Sequence, residues 1–377
     1  MKFTSISFED FSIKIIDQLK LPHELVWMDI TSVEEAYSAI RNMNIRGAPA
    51  LASLATLSVA QRLHNSSYNN SQELKKEVKQ VCDYLYQSRP TAVNLGIALD
   101  QLRQAAEIDS DSVDNIKKAV IYQAILVWSE DVERNKQMSD NGAQWLIDNL
   151  ESSGKIEKGG RISILTWVNP FEAIALLTIF KGYGTAFGMI TRLHELGRLE
   201  RAYYAQTTPY HQGTRLTAFE FTQLGIPSCL VCDTAVGSLI SSGIVQAVTV
   251  GADRIALNGD TANKIGTMQS AMFAKTFNIP FTVVAPRASV DSNLNDGRSI
   301  PIELRAASEA VTVRGIELDS GKQTSVRIAP KEVGATGLHT VYNPGFDITP
   351  SQLISAVVLE TGVAENKNGS IDVKSLL

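Results

Sequence analysis

A chain of 377 residues, 44% hydrophobic and 20% charged, is long enough for two domains and apolar enough for a sizeable core. Its formal net charge of −5 excludes the basic footprint of a nucleic-acid-binding protein, and no basic run is long enough to hold an anionic membrane. The longest apolar run, Ala173 to Phe180, is far too short to span a bilayer.

The N-terminus, MKFTSISFEDFSIKIIDQLK, mixes charges into its apolar positions, unlike a signal peptide. The three cysteines, Cys82, Cys229 and Cys232, form no disulfide framework, and the five histidines are scattered, so no metal site is expected. The C-x-x-C of Cys229 and Cys232 reads either as a redox pair or, better, as two small apolar residues of a buried strand. A cytoplasmic location is expected, with the nucleus as a further compartment.

The first part of the chain is mostly helical by pattern. VEEAYSAIRNM, ALASLATLSVAQRL, ELKKEVKQVCDYLY and NLGIALDQLRQAAEI carry apolar residues at three-four spacing. DSDSVDN supplies caps for a long helix through IKKAVIYQAILVWSEDVERNKQ. SSGKIEKGGR marks a boundary, which predicts a helical domain over 1–150 and a second domain over 151–377. Beyond it, RISILTW, RAYYAQT, SCLVCD, AVTVGAD, FTVVAP and HTVYN read as strands. RLTAFEFTQLG, NKIGTMQSAMFAKTF and PSQLISAVVLETG read as the helices between and after them. The fold class is therefore α/β: a mostly helical N-terminal domain plus a Rossmann-like C-terminal domain with a parallel sheet.

In such a sheet, ligands bind beyond the carboxyl ends of the strands. Those ends carry Thr166, Gln206, Asp233, Asp253 and Asn343. Asp253 ends an apolar strand and reads either as a loop cap or as a partly buried carboxylate that works as acid and base. A polar loop then brings Asn263 and Lys264 to a helix start, which reads as a phosphate seat or as a solvated surface charge. Arg46 in NIRGAPA and Arg89 in SRPTAVN each precede a helix; either is a structural arginine or a planar fork for phosphate. Gln212 lies in the strand-to-helix turn of YHQGTR, a place for a sugar hydroxyl contact.

RGAPA, RPTAVN, PYHQGTRLTAFE, VGADRIALNGDTANKIGT, APRASVD, IPIE and NPGFDITP follow one another from about residue 40 to 362. In that order they resemble the methylthioribose-1-phosphate isomerases. The wider family also holds ribose-1,5-bisphosphate isomerases, disfavoured here by RPTAVN, and regulatory subunits of the translation initiation guanine-nucleotide exchange factor. The resemblance implies an aldose-to-ketose isomerisation in methionine salvage that uses no metal and no cofactor. It assigns the acid role to Asp253 and sugar-phosphate contacts to Arg46, Gly47, Ala48, Arg89, Gln212, Asn263 and Lys264. It also implies a homodimer formed through the sheet domain and a small-molecule sugar phosphate as partner, with neither nucleic acid nor membrane. The alternative is a non-catalytic regulatory subunit that senses a sugar phosphate or nucleotide.

Two segments depart from the family pattern. The family's second catalytic residue is a cysteine in T-x-C-N-x-G-x-L-A-T, whereas residues 167–182 read WVNPFEAIALLTIFKG, without a cysteine or the glycine-rich turn. An ETRPYNQG motif is QTTPYHQG here, placing Gln206, Thr208 and His211 where the family has glutamate, arginine and asparagine. His211 reads better as a neutral hydrogen-bonding substitute than as a new base. These departures allow three readings: a diverged paralogue that no longer isomerises, a foreign segment at 167–182, or an enzyme that works without the thiol, with Asp253 doing most of the proton transfer.

Overall fold

The computed structural model describes residues 6–90, 92–167 and 184–377. It divides into two compact units, the first holding the chain up to Ser139 and the second the chain from Asp140, apart from a short stretch ending at Gly188 that groups with the first. The division falls inside one long helix whose far end lies near the boundary expected at residue 150.

The first unit opens with an antiparallel meander, β1 (Ile6–Glu9), β2 (Ser12–Ile16) and β3 (Trp27–Ile30), that the helical pattern of this region did not announce. The predicted helices follow as α1 (Val33–Arg41), α2 (Ala48–Asn65), α3 (Ser71–Tyr86), α4 (Val93–Ala106) and α5 (Val113–Ser152). The starts of α1, α3 and α5 are set by side chains. Ser32 and Asn70 accept from the amides of Glu35 and Glu73, and Ser112 accepts from Asn115 at the head of α5. Ile13, Ile15, Leu54, Leu57, Leu99 and Val120 belong to a single buried core joining the meander to the helices.

The second unit contains, in chain order, β4 (Ile162–Trp167), α6 (Ala186–Glu195), β5 (Leu199–Ala205), α7 (Ala218–Leu224), β6 (Ser228–Val231), α8 (Val236–Ser241), β7 (Ala247–Val250), β8 (Arg254–Ala256) and β9 (Thr261–Lys264). They are followed by α9 (Thr267–Thr276), β10 (Phe281–Val284), β11 (Val290–Asp291), α10 (Ala307–Val311), β12 (Thr312–Ile316), β13 (Gln323–Arg327), β14 (Phe346–Thr349), β15 (Ala356–Leu359), β16 (Gly362–Lys367) and β17 (Ser370–Ile371). Among the described residues an eight-stranded sheet runs β6-β5-β4-β7-β10-β15-β16-β17, parallel from β6 to β15 and antiparallel beyond. From β4 the chain builds outward to β6 and then returns to add β7 on the other side. The order therefore reverses between β4 and β7, and that crevice is where doubly wound sheets bind ligands. A second, four-stranded sheet, β11-β8-β9-β14, stands just past the carboxyl end of β7.

Three sequence expectations are corrected. PSQLISAVVLETG is not a helix: Ser351–Leu353 makes one 3₁₀ turn and the chain then enters β15 and β16. Ala356–Leu359 is buried on both faces, and a short, wholly apolar run does not reveal its period. HTVYN is not a strand; Asn343 instead pins a loop, donating to the carbonyl of Ala306 at 3.2 Å. Cys229 and Cys232 do sit on and after a strand, but β6 is the sheet edge, so Cys232 is exposed and Cys229 only half-buried. Cys82 is the buried thiol, pushed up to about 12 by desolvation.

Candidate active site

Three residues beyond β7, Asp253 is held by its own amide, which donates to the carbonyl of Ala262 on β9 at 3.0 Å. Its side chain is half-buried and its Oδ2 is shielded from solvent. Asn263 and Lys264 lie at the end of β9 and are 0% and 5% exposed, which removes the solvated-surface reading of the lysine. Asn263 Nδ2 donates to Thr267 Oγ1 at 3.0 Å and reaches the carbonyl of Trp167 at 3.5 Å, tying the small sheet to the end of β4. Its Oδ1 is buried and has no hydrogen-bond partner among the described residues.

The phosphate seat expected at the following helix start is different in kind. Residues 254–264 form the β8–β9 hairpin rather than a loop, and α9 begins at Thr267. Asp347, on β14 and in register with Asn263, accepts from the amides of Gly266 at 2.7 Å and Met268 at 3.1 Å. Those helix-start amides are thus occupied by a protein carboxylate. Burial raises Asp347 to about 6, outweighing the bonds from the amides of Met268, Gly266 and Asp347 itself that favour its ionised form. Gly266, at φ 100°, lies under the Trp167 indole, where an added Cβ would come within 2.3 Å of the ring.

The loop after β5 carries Gln212, which is 1% exposed at the mouth of a π-turn (Gly213–Thr217) leading into α7. Inserted turns of this kind concentrate at functional sites. Thr207 and His211 adopt left-handed backbone angles, φ 61° and 56°. Asp233 spans the loop from the end of β6, accepting from the amides of Thr207 at 2.8 Å and Thr208 at 2.7 Å. Burial lowers the His211 pKa, helped by Arg215 and opposed by Asp233, so its imidazole is neutral at pH 7. The guanidinium groups of Arg215 and Arg305 lie over the Tyr210 ring, 4.8 and 5.8 Å from its centre, beside a cavity of about 110 Å³.

In the first unit, Arg46 and Gly47 lead into α2, with Gly47 as its cap at φ 97° and Ala48 as its first residue. Arg89 lies in the turn between α3 and α4, and both arginines are half-buried. Ala52 and Ala98 pack together within the first two turns of α2 and α4. The two arginine-bearing loops therefore feed helices that meet near their starts. Of the replaced segment, Trp167 is placed at the end of β4, and residues 168–182 lie outside the described residues.

Sequence reasoning missed Asp347 as the holder of the α9 amides and gave Asp233 no role. The only signal was the place of Asp233 at a strand end, because a clamp across two amides depends on which strands become neighbours.

A model of the initiation factor 2 subunit family matches residues 44–366. The methylthioribose-1-phosphate isomerase of Cryptococcus neoformans is 48% identical over 376 residues, covering 97% of this chain and 93% of its own. The crystal structure of 5-methylthioribose 1-phosphate isomerase from Pyrococcus horikoshii superposes with a TM-score of 0.82 at 33% identity, covering 96% of this chain and 92% of that one. A structure from A. fulgidus described as translation initiation factor eIF-2B, subunit delta, gives 0.78 at 34% identity and covers 96% of each chain. The chain belongs to the initiation factor 2 subunit family, among its methylthioribose-1-phosphate isomerases.

Proposed function

We propose that the chain is an aldose-ketose isomerase converting 5-methylthioribose 1-phosphate to 5-methylthioribulose 1-phosphate in methionine salvage. The observation that carries this reading is its near-full-length likeness to proteins of that name, joined to a half-buried Asp253 beside a buried Asn263 and Lys264 at the sheet's switch point. A substrate whose anomeric oxygen bears phosphate cannot open to a free aldehyde, so ring opening needs a proton delivered to the ring oxygen. Asp253 supplies it, and hydrogen then moves between C2 and C1. Asn263 Oδ1 accepts from a sugar hydroxyl, and Gln212 makes a second sugar contact. Arg46, the Gly47–Ala48 helix start, Arg89 and Lys264 hold the phosphate. The family's cysteine has no counterpart in 167–182, and a missing acid-base group of this kind lowers the rate by about 10²–10⁴-fold.

The protein acts as a cytosolic homodimer that associates through the second unit. Supporting this, β13 is exposed along its whole length, and Leu318, Leu338 and Tyr342 nearby are 96%, 84% and 83% exposed. A monomer by light scattering would overturn that part.

The decisive experiment is turnover of 5-methylthioribose 1-phosphate by the purified chain beside Asp253→Asn. Slow turnover that disappears in the variant is expected. No turnover by the folded wild-type chain would leave the non-catalytic sensing role.

A further inference from the structure

We propose that Asp233 is a positioning residue that fixes Gln212, and through it the seating of the sugar; only its consequence for turnover rests on the isomerase reading. The loop after β5 has to be held, because Thr207 and His211 occupy the left-handed region that residues with side chains rarely adopt. The β5 ladder ends at Gln206, whose amide donates to Val231 at 2.9 Å. The next two amides have no strand to pair with. Asp233 accepts both: Oδ1 from Thr207 N at 2.8 Å, and Oδ2 from Thr208 N at 2.7 Å and Thr208 Oγ1 at 2.5 Å.

The return of the loop closes on the same place. Gly213 N and Thr214 N donate to the carbonyl of Gln206 at 3.1 and 3.3 Å, and His211 N donates to that of Thr207 at 2.9 Å. Gly213 approaches β5 so closely that a Cβ would lie 1.8 Å from the carbonyl oxygen of Ala205. Gln212, 1% exposed, is therefore carried between two pinned residues. A rotation of the Thr207–Thr208 peptide is passed through Pro209 and Tyr210 toward His211 and Gln212. Asp233 blocks that rotation from the 3₁₀ turn that follows β6.

Coupling between the two residues tests this. Asp233→Asn keeps the size but replaces one accepting oxygen with a donor. It should lower kcat/KM by about 10- to 100-fold. In a Gln212→Ala background the same change should cost less than about threefold, because the group it positions is gone. Equal losses in both backgrounds would overturn the proposal. Thr208→Val leaves the amides and removes the hydroxyl, so a loss of about two- to tenfold is expected, restored by Thr208→Ser. Amide exchange supplies a readout independent of turnover. Peptides covering 206–214 should exchange about tenfold faster in Asp233→Asn, with the rest of the second unit unchanged. Unchanged exchange there would refute the positioning role even if the chain isomerises nothing. Absent wild-type turnover with faster exchange would instead refute the functional reading and leave the positioning role standing.

Discussion

The turns that follow β5 and β9 are both secured by an aspartate laid across two backbone amides, yet they are built in opposite ways. After β5, non-glycine residues take strained angles, and the carboxylate comes from the end of the neighbouring parallel strand. After β9, the second strand of a regular hairpin, glycine takes the left-handed position, and the carboxylate comes from β14, the antiparallel partner of β9 in the small sheet. One loop is held against its own strain, whereas the other is an extension of regular structure that needs a cap only where a helix begins. The difference shows two routes to rigid presentation of a polar side chain, Gln212 on the first and Asn263 on the second.

The strongest way to break this comparison is Gly213→Ala. Its Cβ would meet a strand carbonyl, which cannot yield, so a loss above about 3 kcal/mol or failure to accumulate folded protein is expected. Near-wild-type stability in urea would mean the loop has more slack than its hydrogen bonds imply. Gly266→Ala should cost about 2–3 kcal/mol, because its Cβ meets a movable ring and its φ of 100° disfavours a side chain. Trp167→Phe should recover part of that loss by removing the benzo ring, and no recovery would place the whole penalty in the backbone.

A subtler contrast lies in pH. Asp347 is raised from 3.8 to about 6, so the native state holds this proton more tightly than the unfolded chain does. Its contribution to stability is complete below 3.8 and is lost as pH rises toward 6. Wild-type melting temperatures measured against Asp347→Asn should show the largest advantage near pH 4 and a shrinking one up to pH 6. A constant difference across that range would mean the cap titrates alike in both states.

What could be read from the residues alone follows the same division. Strands β4, β5, β6, β7 and β10 were legible because each is a short apolar run bounded by turn residues. Asp253, Asn263 and Lys264 were singled out because a long motif surrounds them, and their proposed roles rest on that motif. Strand β9 was not, since Thr261–Lys264 has no apolar alternation and becomes a strand only because β8 and β14 flank it. The meander β1–β3 hid behind mixed charges for a similar reason: one face packs on helices and the other meets water. The roles of Asp233 and Asp347 were illegible because their partners are amides brought near only by the folded sheets.

The edge position of β6 also has a practical use. Cys232 is exposed and stands immediately before Asp233, while Cys82 is sealed in the helical core with its thiol pushed up to about 12. A maleimide dye or spin label will therefore spare Cys82, and with Cys229 replaced by serine it will report from Cys232 alone. The chain thus carries its own probe beside the clamp, able to follow the Gln212 loop during substrate binding.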